Sequence, residues 1–364
     1  MLLILFVMVH SHRDLLDQGG MHYVGYAEMA AAVSNAGGLG MITALTVAMG
    51  PDPLEALRAE IRKCKTLTKK PFGYVICEIF RIPFYPFEWH HRIHLTKTPI
   101  RVNITLLPVG TPPDFPGIVK VLLEEGVKII ETAGRDPSPV LIPLKAAGCV
   151  ILHKCVAIRH ALKAARIGAD IISMDGFDCG GHPGEEDVGN WVLLAKAGQV
   201  LKAAGIPFIA SGGCATGSQL AAALAMGAEG INMGTAFMAT NECPIHDNIK
   251  KAIIDASETD TTHIFRTVNN TERVFKNDQA RKVRAIEAEH PGDFSKLYEH
   301  VRGELYRQSF QETGDVNSSV WSCGQSIGLI DEALSCQQLV SKVVTEAAAI
   351  IQQHLPAKIQ SSKL

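Results

Sequence analysis

Two short stretches carry the clearest chemistry in this chain. Ala210-Ser211-Gly212-Gly213 and Met233-Gly234-Thr235 each end an apolar run and lead into a helical pattern. Bare backbone N–H groups at such turns, with a Ser and a Thr hydroxyl beside them, are what a phosphate needs. Gly-rich turns also serve as plain tight turns, and it is the presence of two of them that favours the phosphate. Lys154, in Leu152-His153-Lys154-Cys155, follows another apolar run. A cation there calls for an anion or an electron-rich ring, or else for a carboxylate such as Glu131. Asn103 and Thr105 alternate with Val102 and Ile104, so one of the two sets faces inward, and an inward Asn offers a ring both donors and an acceptor. The stretch from Asp175 to Gly184, with Gly180 and Gly181 at its centre, has too little bulk to pack and reads as a wall for a flat ligand. His182, between Gly181 and Pro183, can act as base or cation near neutral pH, and as a lone His it is equally a structural candidate. His90-His91-x-x-His94 has helical metal spacing but no acidic partner motif, so a covering role outweighs a ligand role and no metal is expected.

These residues sit at the ends of a recurring unit. Apolar or β-branched runs at 39–44, 101–106, 128–132, 150–154, 170–174, 207–210 and 230–233 alternate with helical patterns, among them 26–35, 157–167, 188–204 and 218–226. Gly37, Gly126, Gly148, Gly168, Gly205 and Gly227 stand where a helix must stop and turn back into a strand. This repetition predicts a (β/α)8 TIM barrel, an α/β fold, because no G-x-G-x-x-G follows a strand as a doubly wound nucleotide fold requires. The eighth strand must then be the first, near 15–19, where the pattern is weak. In a barrel the turns after strands seven and eight are neighbours and form the usual phosphate position, and the active site lies at the strands' C-terminal ends. Beyond residue 244 strand signals stop, and 281–289 and 296–311 read as amphipathic helices. The expected organisation is an atypical 1–17, a barrel over 18–244 with an aromatic insertion at 74–101, a helical C-terminal extension over 245–355 and an exposed tail at 356–364.

Composition narrows the partners. The 364 residues carry 35 Lys+Arg against 37 Asp+Glu, a net charge of −2, so no nucleic-acid partner is implied. A hydrophobic share of 47% suits a filled α/β core and excludes a disordered or collagenous chain. Nine Cys without a C-x-x-C suggest reduced thiols rather than a disulfide framework. The opening apolar run, Leu2 to Val9, is far short of the ~20 residues of a membrane span, and it lacks the basic flank and cleavage site of a secretory signal. Ser362-Lys363-Leu364, at the extreme C-terminus, is a peroxisomal address, so a peroxisomal import receptor is an expected partner and the peroxisomal matrix the expected location.

Taken in order, Gln18-Gly19-Gly20-Met21, Val102-Asn103-Ile104-Thr105, Glu131-Thr132-Ala133-Gly134, His153-Lys154-Cys155, Gly180-Gly181-His182, Ala210-Ser211-Gly212-Gly213 and Asn232-Met233-Gly234-Thr235 resemble the nitronate monooxygenase family, formerly 2-nitropropane dioxygenases. The resemblance implies an FMN-dependent oxidoreductase on a TIM barrel. It places the FMN phosphate on Ser211, Gly212, Gly213, Gly234 and Thr235, counts Met233 among the cofactor-binding residues, and sets the flavin ring near Gly19, Gly20, Met21, Asn103, Lys154, Gly180 and Gly181. His182 then lies beside the substrate as the catalytic residue. The implied reaction converts an alkyl nitronate and O2 to a carbonyl compound and nitrite. Residues 176–185 are closer to the NADH:quinone reductase members, so NAD(P)H and a quinone are the alternative substrates. A flavin-free barrel, or a scaffold blocked by the insertion, stands behind both. The chain departs from the family pattern in its first strand, where Asp14 and Asp17 occupy positions that belong to buried apolar residues, and at 74–101, which relatives lack. Both departures suggest a faulty gene model.

Overall fold

The computed structural model describes residues 16–48, 50–69, 101–106 and 113–361. Most of the aromatic insertion, with His90, His91 and His94, lies outside the described residues, as do 1–15 and the Ser362-Lys363-Leu364 tail.

Eight strands run parallel: β1 Leu16–Gln18, β2 Ile42–Thr43, β3 Arg101–Leu106, β4 Ile129–Gly134, β5 Val150–Cys155, β6 Ile171–Asp175, β7 Phe208–Ser211 and β8 Ile231–Met233. From β2 to β8 each pairs with the next in chain order, and β8 returns to β1 with Leu16 opposite Ile231 and Gln18 opposite Met233. The ring closes just ahead of β2, where Leu39 N donates to Leu16 O at 2.9 Å and Gln18 N donates to Leu39 O at 3.0 Å. This is the expected TIM barrel.

Strand alternation sorts the residues by face. Val102, Ile104, Ile130, Ile151, Ile172 and Ala210 face outward into one large apolar core with helix residues such as Leu57, Ile61, Leu122, Leu144 and Leu201. Facing inward, Leu152, Ile171 and Ile209 form a small apolar plug. Beyond it, toward the C-terminal ends, the interior turns polar and charged: Asp17, Arg101, Asn103, Glu131, Ser173, Ser211 and Asn232 are all buried.

Asp17, which seemed to deny a first strand, is accommodated by that layer. Its Oδ1 accepts from Arg101 Nη1 at 2.9 Å and its Oδ2 from Asn232 Nδ2 at 3.2 Å, so β1 is tied to β3 and β8 across the barrel. Burial pushes the Asp17 carboxyl above its usual range, while the Arg101 guanidinium pulls it back.

The second half departs from expectation in two ways. Strand structure does not stop at 244, because Thr261–Ile264 (β9) and Glu272–Phe275 (β10) form an antiparallel hairpin. Runs this short give little periodic signal. Nor is 296–311 one helix: Arg302, with ψ of 135°, separates Tyr298–Val301 from Gly303–Arg307, and a π-turn over Gln308–Thr313 follows. The helix Cys336–Ala349 packs against Gly217–Ala225 of the barrel, and its Glu346 accepts from Gly217 N at 3.0 Å and Ser218 N at 3.2 Å. Among the described residues no helix is long and apolar enough to cross a membrane.

Asp17→Ala leaves the Arg101 guanidinium buried without its carboxylate and should cost about 3–5 kcal/mol. Replacing both Asp17 and Arg101 by Leu should recover most of that loss in urea denaturation. A single variant as stable as the parent would show that the pair does not hold the barrel.

Candidate active site at the barrel mouth

The turn after β1 must pass very close to its neighbours. A Cβ on Gly20 would collide with the Asn103 side chain, and one on Gly19 would lie 2.8 Å from Asn232 Oδ1 and 3.4 Å from Lys154 Nζ. At Gly20 only glycine fits, and at Gly19 a side chain would have to displace the end of Asn232. Gly20 N donates to Glu131 Oε1 at 3.1 Å, and the same oxygen accepts from Asn103 Nδ2 at 2.7 Å. Thr105 Oγ1 donates to Asn103 Oδ1 at 2.9 Å, so Asn103 and Thr105 are the inward set. Met21 N donates to Thr43 Oγ1 at 2.9 Å. The turn is thus fastened to β2, β3 and β4.

Lys154 takes Asp175, not Glu131, as its hydrogen-bonded partner, with Nζ 3.4 Å from Oδ2. Ser173 Oγ holds the other oxygen of Asp175 at 3.2 Å. Burial works against the Lys154 charge, but Asp175, Glu131 and Asp17 outweigh it and keep the ammonium more firmly protonated than a free lysine. The second oxygen of Glu131 is buried without a partner among the described residues.

The two glycine turns are neighbours, since Ser211 of β7 pairs with Asn232 of β8. Gly212 and Gly213 take φ of +85° and +73°, the left-handed region that favours glycine. The turn is pinned from behind: Thr216 and Gln219 form a capping box on the next helix, and Gln219 Nε2 also donates to Gly213 O at 2.6 Å. Asn190 Nδ2 donates to Gly212 O. The N–H groups of Gly213, Gly234 and Thr235 find no acceptor among the described residues. Thr235 Oγ1 accepts from Gly324 N at 2.9 Å, which leaves its own O–H free to donate. Met21 joins the two parts, because a Cβ on Gly234 would sit 3.5 Å from its sulfur.

The 175–184 wall is built with help from the C-terminal extension. Gly181, at φ +76°, forms an antiparallel bridge with Arg273 of β10, and a Cβ on Gly180 would lie 2.6 Å from the Cys323 carbonyl carbon. Arg273 donates from Nη2 to Phe177 O at 2.8 Å and from Nη1 to Thr261 Oγ1 at 2.9 Å, with its guanidinium 4.9 Å from the Phe177 ring centre. His182 Nε2 lies 3.2 Å from Asn270 Nδ2. His182 reaches the remaining site residues only through Gly180 and Gly181, among the described contacts. Asn270, Arg273 and Gly324 escaped the sequence reading because nothing in their spacing links them to the barrel.

A sequence profile of nitronate monooxygenases matches residues 7–346. The chain belongs to the nitronate monooxygenase family. It is therefore an oxidoreductase, and the expected class of flavin-dependent enzyme stands. A probable nitronate monooxygenase of Bacillus subtilis is 28% identical, with 87% of this chain and 91% of that protein covered. The (3aS,4S,5R,7aS)-5-hydroxy-7a-methyl-1-oxo-octahydro-1H-indene-4-carboxyl-CoA dehydrogenase of Mycobacterium tuberculosis is also 28% identical, over 92% of this chain and 93% of its own. Among solved structures, FabK from Thermotoga maritima superposes with a TM-score of 0.78 at 29% identity, covering 96% of this chain and 97% of that one. A nitroalkane oxidase from Streptomyces ansochromogenes, at 22% identity and a TM-score of 0.69, shares the fold.

Two further residues on this family frame are histidines, His22 half-buried and His153 buried. His22, beside Met21, packs its ring 3.7 Å from that of Tyr23, which meets Tyr306 edge-on at 5.4 Å. His153 on β5 sits 2.8 Å from Thr132 Oγ1, and burial pushes it down to about 4. The unfolded chain binds a proton at His153 below about pH 6.5 that the folded chain refuses until about 4. Stability from this group is complete above pH 6.5 and should be lost as pH falls toward 4. Urea midpoints at pH 7 and 4.5 should show a shallower fall for His153→Gln than for the parent, and equal falls would remove His153 as a cause.

Proposed function

We propose that this member of the family binds FMN and oxidises alkyl nitronates with O2 to carbonyl compounds and nitrite. The observation that carries the reading is the pair of glycine turns after β7 and β8, with open N–H groups on Gly213, Gly234 and Thr235 and a lysine 3.4 Å from where a Cβ of Gly19 would lie. The donor set suits a phosphate, with the Ser211 and Thr235 hydroxyls adding to the backbone groups. Asp178 comes near the turn, and its Oδ2 is engaged by Asn190 N at 2.8 Å.

FMN would supply electron transfer between the organic substrate and O2. The protein's own residues do the rest. Gly19, Gly20, Gly180 and Gly181 permit a flat ring to approach the backbone, and Met21 spans from that surface to the phosphate turn. Lys154 brings a half-buried positive charge that favours a reduced, anionic ring. Asn103 has one N–H and one lone pair left after its bonds to Glu131 and Thr105. His182 would hold the nitronate oxygen at the wall.

A second reading is favoured by the extent of the match to the carboxyl-CoA dehydrogenase of Mycobacterium tuberculosis, which covers the chain as fully as any nitronate monooxygenase relative above. There the same barrel would act on a CoA thioester. The 176–185 loop supports a third pairing, NAD(P)H with a quinone.

The purified chain should show a flavin absorption band that anaerobic propyl nitronate bleaches. Bleaching by NADH alone would move the enzyme to the reductase branch, and bleaching by a CoA thioester alone to the dehydrogenase branch. Gly213→Asp, placing a carboxylate in the phosphate turn, should lose the band, and its retention would sink the phosphate assignment. His182→Ala should keep the band and lose turnover.

We also propose that Ser362-Lys363-Leu364 directs the protein to the peroxisomal matrix. A fluorescent fusion at the N-terminus should be punctate with the three residues and diffuse without them. Punctate signal from the truncated chain would rule the address out.

A further inference from the structure

The turn of the β9–β10 hairpin grips the loop that carries His182 on both sides of that residue. On one side Gly181 N donates to Arg273 O at 3.1 Å and Arg273 N donates to Gly181 O at 2.7 Å. On the other, Thr271 N donates to Glu185 Oε1 at 2.8 Å and Thr271 Oγ1 donates to Glu185 Oε2. Between them Asn270 Nδ2 lies 3.2 Å from His182 Nε2.

The turn is itself tied down by hydrogen bonds. Glu287, buried on the helix Asp278–Glu289, accepts from Phe265 N at 3.0 Å, Thr267 N at 2.7 Å and Thr267 Oγ1 at 3.0 Å. Phe265 and Asn269 are fixed at φ of +63° and +52°, and Asn270 N donates to Phe265 O at 3.2 Å. Non-glycine residues keep such backbone angles only where the surroundings impose them, and such places cluster at functional sites. Charged groups on the two segments are engaged elsewhere: Glu185 by Thr271, Asp187 by Arg266 at 2.9 Å and Arg273 by Phe177 O.

We propose that Asn270 is a positioning residue for His182, donating from Nδ2 to Nε2 so that the neutral imidazole carries its proton on Nδ1. The partner of one ring nitrogen decides which tautomer the ring adopts. With Nε2 occupied, His182 meets a ligand as a hydrogen-bond donor through Nδ1–H and not as a proton acceptor, which suits an anionic oxygen. The proposal rests on the reading of His182 as the residue beside the substrate, and it makes the hairpin of the extension part of the active site.

Long-range 1H–15N correlation spectra of the full-length flavoprotein, labelled at histidine and recorded at pH 8, read the tautomer directly. His182→Gln identifies the signals. The parent should show the Nδ1–H pattern, and Asn270→Asp, whose carboxylate only accepts, should move the proton to Nε2. The same variant should lose about tenfold in kcat/KM for propyl nitronate with unchanged flavin content, the scale on which partners that orient a working histidine act. An Nε2–H pattern in the parent overturns the proposal, as does an unaltered pattern in Asn270→Asp with the flavin spectrum intact. If that variant does not fold, the parent spectrum and Asn270→Ala decide, the latter being expected to lose the Nδ1–H preference. The expected tautomers without any oxidation of nitronate would leave Asn270 in this role and refute only the nitronate reading.

Discussion

Charge buried inside a closed barrel has to be paired, and that constraint shapes the upper half of this interior. Asp17 and Arg101 neutralise each other across the ring, Asn232 and Asn103 take up remaining lone pairs and N–H groups, and Lys154 is held by Asp175. Removing one member leaves its partner as an uncompensated buried charge, which is far more costly than an apolar replacement of both. The same layer orders the site above it, because Glu131 and Asn103 fix the turn that carries Gly20, and Lys154 reaches up beside Gly19. The polar interior is therefore both the weakest place to substitute and the platform on which the candidate site is built.

Above that platform several turns lack side chains altogether. Gly19, Gly20, Gly180, Gly212 and Gly213 all lie where a Cβ would meet another residue within 3.0 Å or less, so these positions have a steric reason independent of any ligand. Their clustering at the strand C-termini is what turns a set of tight contacts into a candidate binding surface. The extension then completes it. Gly324 reaches Thr235, Arg273 pairs with Gly181 and Asn270 meets His182, so the segment after the barrel serves as a wall of the site as well as a cover for helices.

The sequence made the barrel legible because each β/α unit repeats the same local signals. Helix-ending glycines, β-branched runs and Ala-rich helices placed the seven strands after the first to within a few residues, and the two glycine turns at the ends of the last two strands followed from their position in that count. The first strand was legible only through Gln18-Gly19-Gly20-Met21, since Asp17 reads as a surface residue until Arg101 is seen beside it. Lys154 stood out as a cation at a strand end, yet its partner did not, because Glu131 and Asp175 are equally plausible from strand order and only the side-chain geometry separates them. The hairpin at 261–275 was invisible, as its two four-residue strands lack a periodic pattern long enough to register.

What the sequence by itself determined is what local chemistry dictates: the alternation of strands and helices, the turns that demand glycine, the residue types able to hold a phosphate and the family those motifs resemble. What the tertiary structure decided is every relation between distant segments. The pairing of Asp17 with Arg101, 84 residues apart, the choice of Asp175 for Lys154, and the delivery of Asn270 to His182, 88 residues apart, depend on how the ring closes and how the extension folds back onto it. Such contacts arise from packing of elements whose own formation is local, and no spacing along the chain encodes them.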